Sequence, residues 1–143
     1  MDKNFFKLYC VILNIISATT CLAMLLYPLF IWLKGMNDVN LLDTCILSGL
    51  GVLIYIITSV GLKFPNAWNL PYEVTEENKS YLYGDAQEML VVIRAEAMLF
   101  FGYMVNCTLF NKTGGILFLM FIIMIIYTLY HYIHKMKQHS KFQ

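Results

Sequence analysis

The sequence predicts an all-α integral membrane protein: a bundle of four transmembrane helices, with a short cytoplasmic or interfacial helix ahead of the third span. Three observations predict it. Of the 143 residues, 59% are hydrophobic and 13% charged, against roughly 45–50% and about 25% in an average soluble domain. Four apolar runs have the roughly 17–25 residues that a hydrocarbon core of about 30 Å demands of a helix. The basic residues gather on one side of those runs. Ten Lys and Arg against nine Asp and Glu leave a formal charge of +1, too little for a surface that tracks phosphates, so no nucleic acid is expected as a partner.

The first run covers 11–33 and is free of charge. Lys3 and Lys7 ahead of it resemble the basic start of a signal peptide. The run is too long for an h-region and no small-x-small site closes it, so it predicts a first span, with Pro28 kinking or ending it near the far interface. The other runs cover 44–62, 91–110 and 116–133, within a single transmembrane domain over 1–143. Backbone groups in lipid need internal partners, so these runs are helices. Alternating segments of about ten residues, the mark of a barrel, are absent.

The connections set the topology. Residues 34–43 are polar and turn-like, with Gly35, Asn37, Asp38 and Asn40. Residues 111–115 read Asn-Lys-Thr-Gly-Gly, a tight turn that makes spans three and four an antiparallel hairpin. One side of the membrane then carries Lys3, Lys7, Lys63, Lys79, Lys135, Lys137 and Lys141, joined by Arg94 if it snorkels back; the other carries Lys34 and Lys112. The positive-inside bias predicts both termini and the 63–90 loop in the cytoplasm. The tail cations Lys135, Lys137, His139 and Lys141 suit anionic lipid.

Within that loop, Thr75 can cap a helix whose first turn holds Glu76 and Glu77, where the dipole favours anions. From Glu76 to Phe110 a continuous helix is about 52 Å long at 1.5 Å per residue, longer than the bilayer core. It must project from the membrane or bend near Gly84 and Asp85. Trp68, Tyr72, Tyr81 and Tyr83 suit the headgroup level. The segment is either an interfacial collar or a recognition surface made of Asn69, Pro71, Thr75, Glu76, Glu77, Asn78 and Tyr83.

These residues also carry a likeness. Asn69-Leu-Pro71-Tyr-Glu-Val-Thr75-Glu76-Glu77-Asn78, followed by Tyr83, Ala86, Met89-Leu90, Arg94 and Glu96, resembles a pattern in a family of uncharacterised bacterial multi-helix membrane proteins. That family is related to the membrane immunity proteins of the Sdp toxin system, some of which also act as signalling receptors. The resemblance spans 69–96 and implies a multi-pass protein of a bacterial inner membrane. Relatives often carry a Pro-x-His-Phe type motif after the first helix; residues 34–43 have neither Pro nor His, so no ligand role attached to that motif carries over.

Arg94 and Glu96 are the charges inside a predicted span, and ionisable residues there are functional candidates. Two positions apart, they lie about 200° around the helix and do not share a face. Glu88 loosely shares the face of Glu96. They are interface anchors or, together with Asn106, a polar site between helices; a proton or ion path is a further alternative. Small and weakly polar residues mark the helix contacts: Cys10, Asn14, Ser17, Ala18 and Cys21 on the first helix, Cys45, Ser48, Gly49 and Gly51 on the second, Gly102 and Asn106 on the third. Tyr55, Tyr103 and Tyr127 can add hydrogen bonds. The four cysteines lack Cys-x-x-Cys spacing and are expected as free thiols, with Cys45 and Cys107 the pair most nearly placed to bridge. His131 and His134 lack further ligands, so no metal is expected.

No nucleophile–base–orienter set, phosphate loop or cofactor motif is visible, so no enzyme and no cofactor are expected. Two roles remain: an immunity or sensory protein that binds a peptide or a regulator through 69–96, or a structural or accessory subunit of a larger membrane complex. The expected partners are the lipid bilayer and either other membrane subunits or further copies of the chain.

Overall fold

The computed structural model describes residues 3–35, 40–110 and 115–140, with the side chains of 3–7 and of Asn66 outside the description. Four helices run through it: α1 (Lys3–Lys34), α2 (Leu41–Lys63), α3 (Lys79–Leu109) and α4 (Gly115–His139). Each is long and apolar enough to cross a membrane. The expected turn at 111–115 and the polar part of the 34–43 connection fall largely outside the described residues.

Local chemistry sets the helix ends. Gly35 closes α1 at φ +60°, a left-handed conformation that favours glycine. Pro28 neither ends nor interrupts α1. Asn40 caps α2: its Oδ1 accepts from the Asp43 amide at 3.2 Å, and its Nδ2 donates to Asp43 Oδ2 at 2.5 Å. Asp43 in the first turn and Lys63 in the last both suit the helix dipole. Pro65, which has no amide hydrogen, begins a single 3₁₀ turn (Pro65–Ala67). The Trp68 indole then donates back to the Gly61 carbonyl at 3.1 Å.

The separate helix expected before the third span does not form. Residues 76–78 make a turn, and α3 then runs unbroken through Gly84 and Asp85 to Leu109. The reason lies in the side chains. Asn78 Oδ1 accepts from the Thr75 amide at 2.9 Å, its Nδ2 donates to the Glu73 carbonyl, and Thr75 Oγ1 accepts from the Asn78 amide. Local bonds of this kind satisfy backbone groups that an earlier helix would have used. Regular helical bonding begins with the Lys79 amide on the Thr75 carbonyl, at 3.0 Å.

The arrangement is not a symmetric square of helices. α3 packs on α1, α2 and α4, whereas α4 has its principal contact with α3. The contacts give the directions. Residues 14 and 20 of α1 meet 94 and 102 of α3, so these two helices are parallel. Residues 61, 59 and 51 of α2 meet 90, 94 and 101, so α2 is antiparallel to α3. Residues 139, 135, 128 and 121 of α4 meet 85, 88, 96 and 100, so α4 is antiparallel too. The topology is up-down-up-down.

On α1 the expected contact stripe is buried at Ser17 and Cys21 and extends to Met24 and Ile31, whereas Ala18 faces outward. On α2 the buried residues are Thr44, Ser48 and Gly51, while Cys45 and Gly49 face outward. Spacings of four and three keep one face inward, and Cys45 and Gly49 lie off it. Met24, Met98 and Val105 form one buried cluster with Cys21; Leu82, Ala86, Tyr132 and Met136 form a second at the other end. No disulfide joins the four cysteines.

The glycines at these contacts differ in what they allow. A Cβ on Gly51 would lie 2.8 Å from Met24 Cε and 3.1 Å from Phe101 Cβ, while one on Gly49 meets nothing within 4 Å. Gly51→Val is therefore expected to destabilise the bundle by about 1–3 kcal/mol through overpacking, whereas Gly49→Val lowers stability far less. Thermal unfolding of both variants in mild detergent checks this.

Candidate functional site

α3 carries its polar residues in tiers, each directed at a different neighbour. At the first tier Asp85 and Glu88, one turn apart, face the last turns of α4. Lys135 Nζ lies 2.6 Å from Glu88 Oε2 and 3.0 Å from Asp85 Oδ1, and His139 Nδ1 lies 2.5 Å from Asp85 Oδ2. Both carboxylates are buried, so removing the cation that bridges them costs far more than breaking a surface pair. Tyr72 Oη adds a 3.3 Å bond to the Ile133 carbonyl, clamping the loop onto the same part of α4.

Arg94 forms the second tier, on the α1 and α2 side. It is turned into the bundle and 5% exposed, so it does not snorkel. Its Nη1 donates to Ser59 Oγ at 2.9 Å, its Nη2 donates to Asn14 Oδ1, and its guanidinium carbon stands 5.3 Å from the centre of the Tyr55 ring. All three partners are neutral. Its Nε is buried with no hydrogen-bond partner among the described residues. A cation at the centre of a membrane helix costs about 2.5–3.5 kcal/mol on insertion scales, and no carboxylate among the described residues pairs with it.

The third tier, Glu96, faces α4. Thr128 Oγ1 donates to Glu96 Oε1 at 2.6 Å. The other oxygen, Oε2, is buried without a partner among the described residues. Arg94 and Glu96 thus sit on opposite flanks of α3, as their spacing requires, each held by neutral groups. Glu88 and Glu96 both face α4. Asn106 lies farther along, partly buried, its carbonyl accepting from the Phe110 amide.

The loop residues divide by exposure. Asn78 is buried as the knot of the turn, Thr75 and Tyr83 are half-buried, and Asn69, Pro71, Glu76 and Glu77 are exposed. The one ion pair of this group, Glu76 with Lys79, is open to solvent at 3.9 Å and contributes little. Among the described residues, no three His, Cys, Asp or Glu side chains stand together as a metal site.

Comparisons of the chain with protein-family models, with curated proteins and with solved structures found no match. The residues themselves therefore carry the functional argument.

Sequence reasoning placed Lys135 and His139 toward lipid, whereas both turn inward to α3. It also passed over Ser59 and Thr128, the partners of Arg94 and Glu96. A signal was present: acids at 85 and 88 and bases at 135 and 139 lie symmetrically about the 111–114 connection, so an antiparallel hairpin must bring them together.

Two tests follow from these tiers. Removing Lys135 takes the bridging cation from two buried carboxylates and leaves Asp85 with His139, so Lys135→Met should cost about 2–3 kcal/mol. Adding Glu88→Gln should recover part of that loss, which a double-mutant cycle of thermal stabilities measures. Arg94 has neutral partners only, so Arg94→Met should leave stability within about 1 kcal/mol of the parent. A loss beyond about 2 kcal/mol would make Arg94 a structural keystone.

Proposed function

We propose that the protein is a non-enzymatic, multi-pass protein of a bacterial inner membrane, of the immunity or sensory kind. In this reading it binds a peptide or a regulator through the 69–96 region. The supporting observation is the form of the 73–78 shoulder. Glu73, Glu76 and Glu77 are exposed, yet they stand on a turn tied by the mutual bonds of Thr75 and Asn78. A fixed display of exposed carboxylates, of which Glu76 makes only the solvent-open pair with Lys79, suits a basic partner, because acids held in place lose little freedom on binding.

This shoulder shares an end of the bundle with Lys63, Lys79, Lys135 and Lys137, while Lys34 lies at the opposite end. That distribution supports a cytoplasmic placement for the shoulder and for both termini. The likeness over 69–96 supports the immunity or sensory class.

A second reading, an accessory subunit of a larger membrane complex, draws on α4. Its outward face is exposed and apolar along most of its length, including Ile116, Leu119, Ile123 and Ile126. That face suits lipid, another membrane subunit or a further copy of the chain.

Deletion and complementation separate the two readings. Cells lacking the protein should lose resistance to a membrane-active peptide toxin. The combined variant Glu73→Gln, Glu76→Gln, Glu77→Gln should accumulate normally and fail to restore resistance. Full restoration by that variant would exclude the acidic shoulder as the binding surface. Unchanged resistance on deletion, with a stoichiometric large complex after gentle solubilisation, would establish the accessory role instead.

A further inference from the structure

Two hollows meet on the α4 flank of α3, and Glu96 stands in the wall of both. The larger, about 680 Å³, is lined by apolar and aromatic side chains that include Leu99, Phe100, Leu117, Met120 and Phe121. The smaller, about 340 Å³, is lined by Tyr9, Val92, Thr128, His131 and Tyr132. Met124 and Tyr127 belong to both. Volumes in this range are typical of small-molecule sites, in which apolar walls surround a few fixed polar groups.

The polar group here is unusual in its surroundings. Glu96 is 8% exposed, and it uses one oxygen for Thr128 while the other has no donor among the described residues. Among the described residues, no Lys or Arg pairs with it. A buried carboxyl oxygen with no donor is costly, and a ligand whose donor also carries a positive charge relieves that cost far better than a neutral donor does. The aromatic rings of Tyr9, Tyr127 and Tyr132 around the smaller hollow add faces that attract a cation.

We propose that this paired hollow is a binding site for a single-chain lipophilic amine, with its alkyl chain in the larger hollow and its ammonium on Glu96 among the tyrosines of the smaller one. Anionic amphiphiles are repelled by the carboxylate, and neutral ones leave its charge unmatched. A bilayer phospholipid fits poorly. Thr128, at the level of Glu96, lies seven residues from Lys135, or about 10 Å along α4, and a two-chain lipid would have to sink its headgroup by that depth. A single-chain amine enters sideways from the bilayer. The site takes Val92 and Glu96 from the end of the 69–96 region, away from the 69–78 shoulder, and does not depend on what binds at that shoulder.

The test uses the full chain in phosphatidylcholine nanodiscs, with radiolabelled dodecylamine as probe and protein-free nanodiscs subtracted. Saturable, one-to-one binding is expected, and dodecanol should not compete for it. Glu96→Gln should weaken binding at least about tenfold. Met124→Trp, which fills the junction of the two hollows from a half-exposed position, should abolish binding without lowering the unfolding temperature. If Glu96→Gln does not fold, Met124→Trp decides: loss of binding supports the site, and parental binding overturns it. Uptake equal to that of empty nanodiscs, equal competition by dodecanol, or parental affinity in Glu96→Gln would each overturn the proposal. Displacement of the probe by phosphatidylethanolamine in the nanodisc would assign the hollow to a lipid headgroup and overturn the free amine.

Discussion

The structure turns on one constraint: the helix that carries the buried charges must be the helix that the others enclose. An ionised group facing hydrocarbon costs several kcal/mol. α3 holds Asp85, Glu88, Arg94 and Glu96, all buried, whereas the apolar stretches of α1, α2 and α4 are largely open to their surroundings. The least apolar helix takes the centre because each of its flanks needs polar partners. Asn14 of α1, Ser59 of α2 and Thr128 of α4 supply one each.

From that constraint the register of the bundle follows. The lysine and histidine near the end of α4 meet the acids near the start of α3, and the same antiparallel register brings Thr128 to Glu96 and stacks Phe121 on Phe100 at 4.1 Å. On the opposite flank, small residues let the backbones approach, Gly51 against Met24 and Gly102 against Thr20. The polar contacts set the alignment and the small residues set the spacing.

Much of this was legible in the amino-acid order. Four runs of apolar residues gave four helices, and Ser17 and Cys21 of the expected α1 stripe lie on the inner face, although Ala18 does not. The loop ahead of the third span was harder, because Thr75 followed by two glutamates looks like a helix start by propensity, while the bonds of Asn78 hold those residues in a turn. Arg94 was harder still. Counted from the end of an apolar run it is shallow enough to snorkel, and only the positions of Asn14 and Ser59 on neighbouring helices turn it inward. Cys45 and Gly49 failed for a related reason: composition marks them as small, but the buried face of α2 passes through Thr44, Ser48 and Gly51.

The enclosure of α3 is tested most directly by its contact with α1. A Cβ on Gly102 would stand 2.8 Å from Thr20 Cγ2, which brings the two Cβ positions within disulfide range, about 3.5–4.5 Å. In a background with the four native cysteines replaced by serine or alanine, the pair Thr20→Cys and Gly102→Cys should form an intramolecular disulfide under mild oxidation in membranes. The pair Ala18→Cys and Gly102→Cys should not, since Ala18 faces outward. Efficient cross-linking of the second pair with none in the first would contradict the packing of α1 on α3, and with it the placement of α3 at the centre.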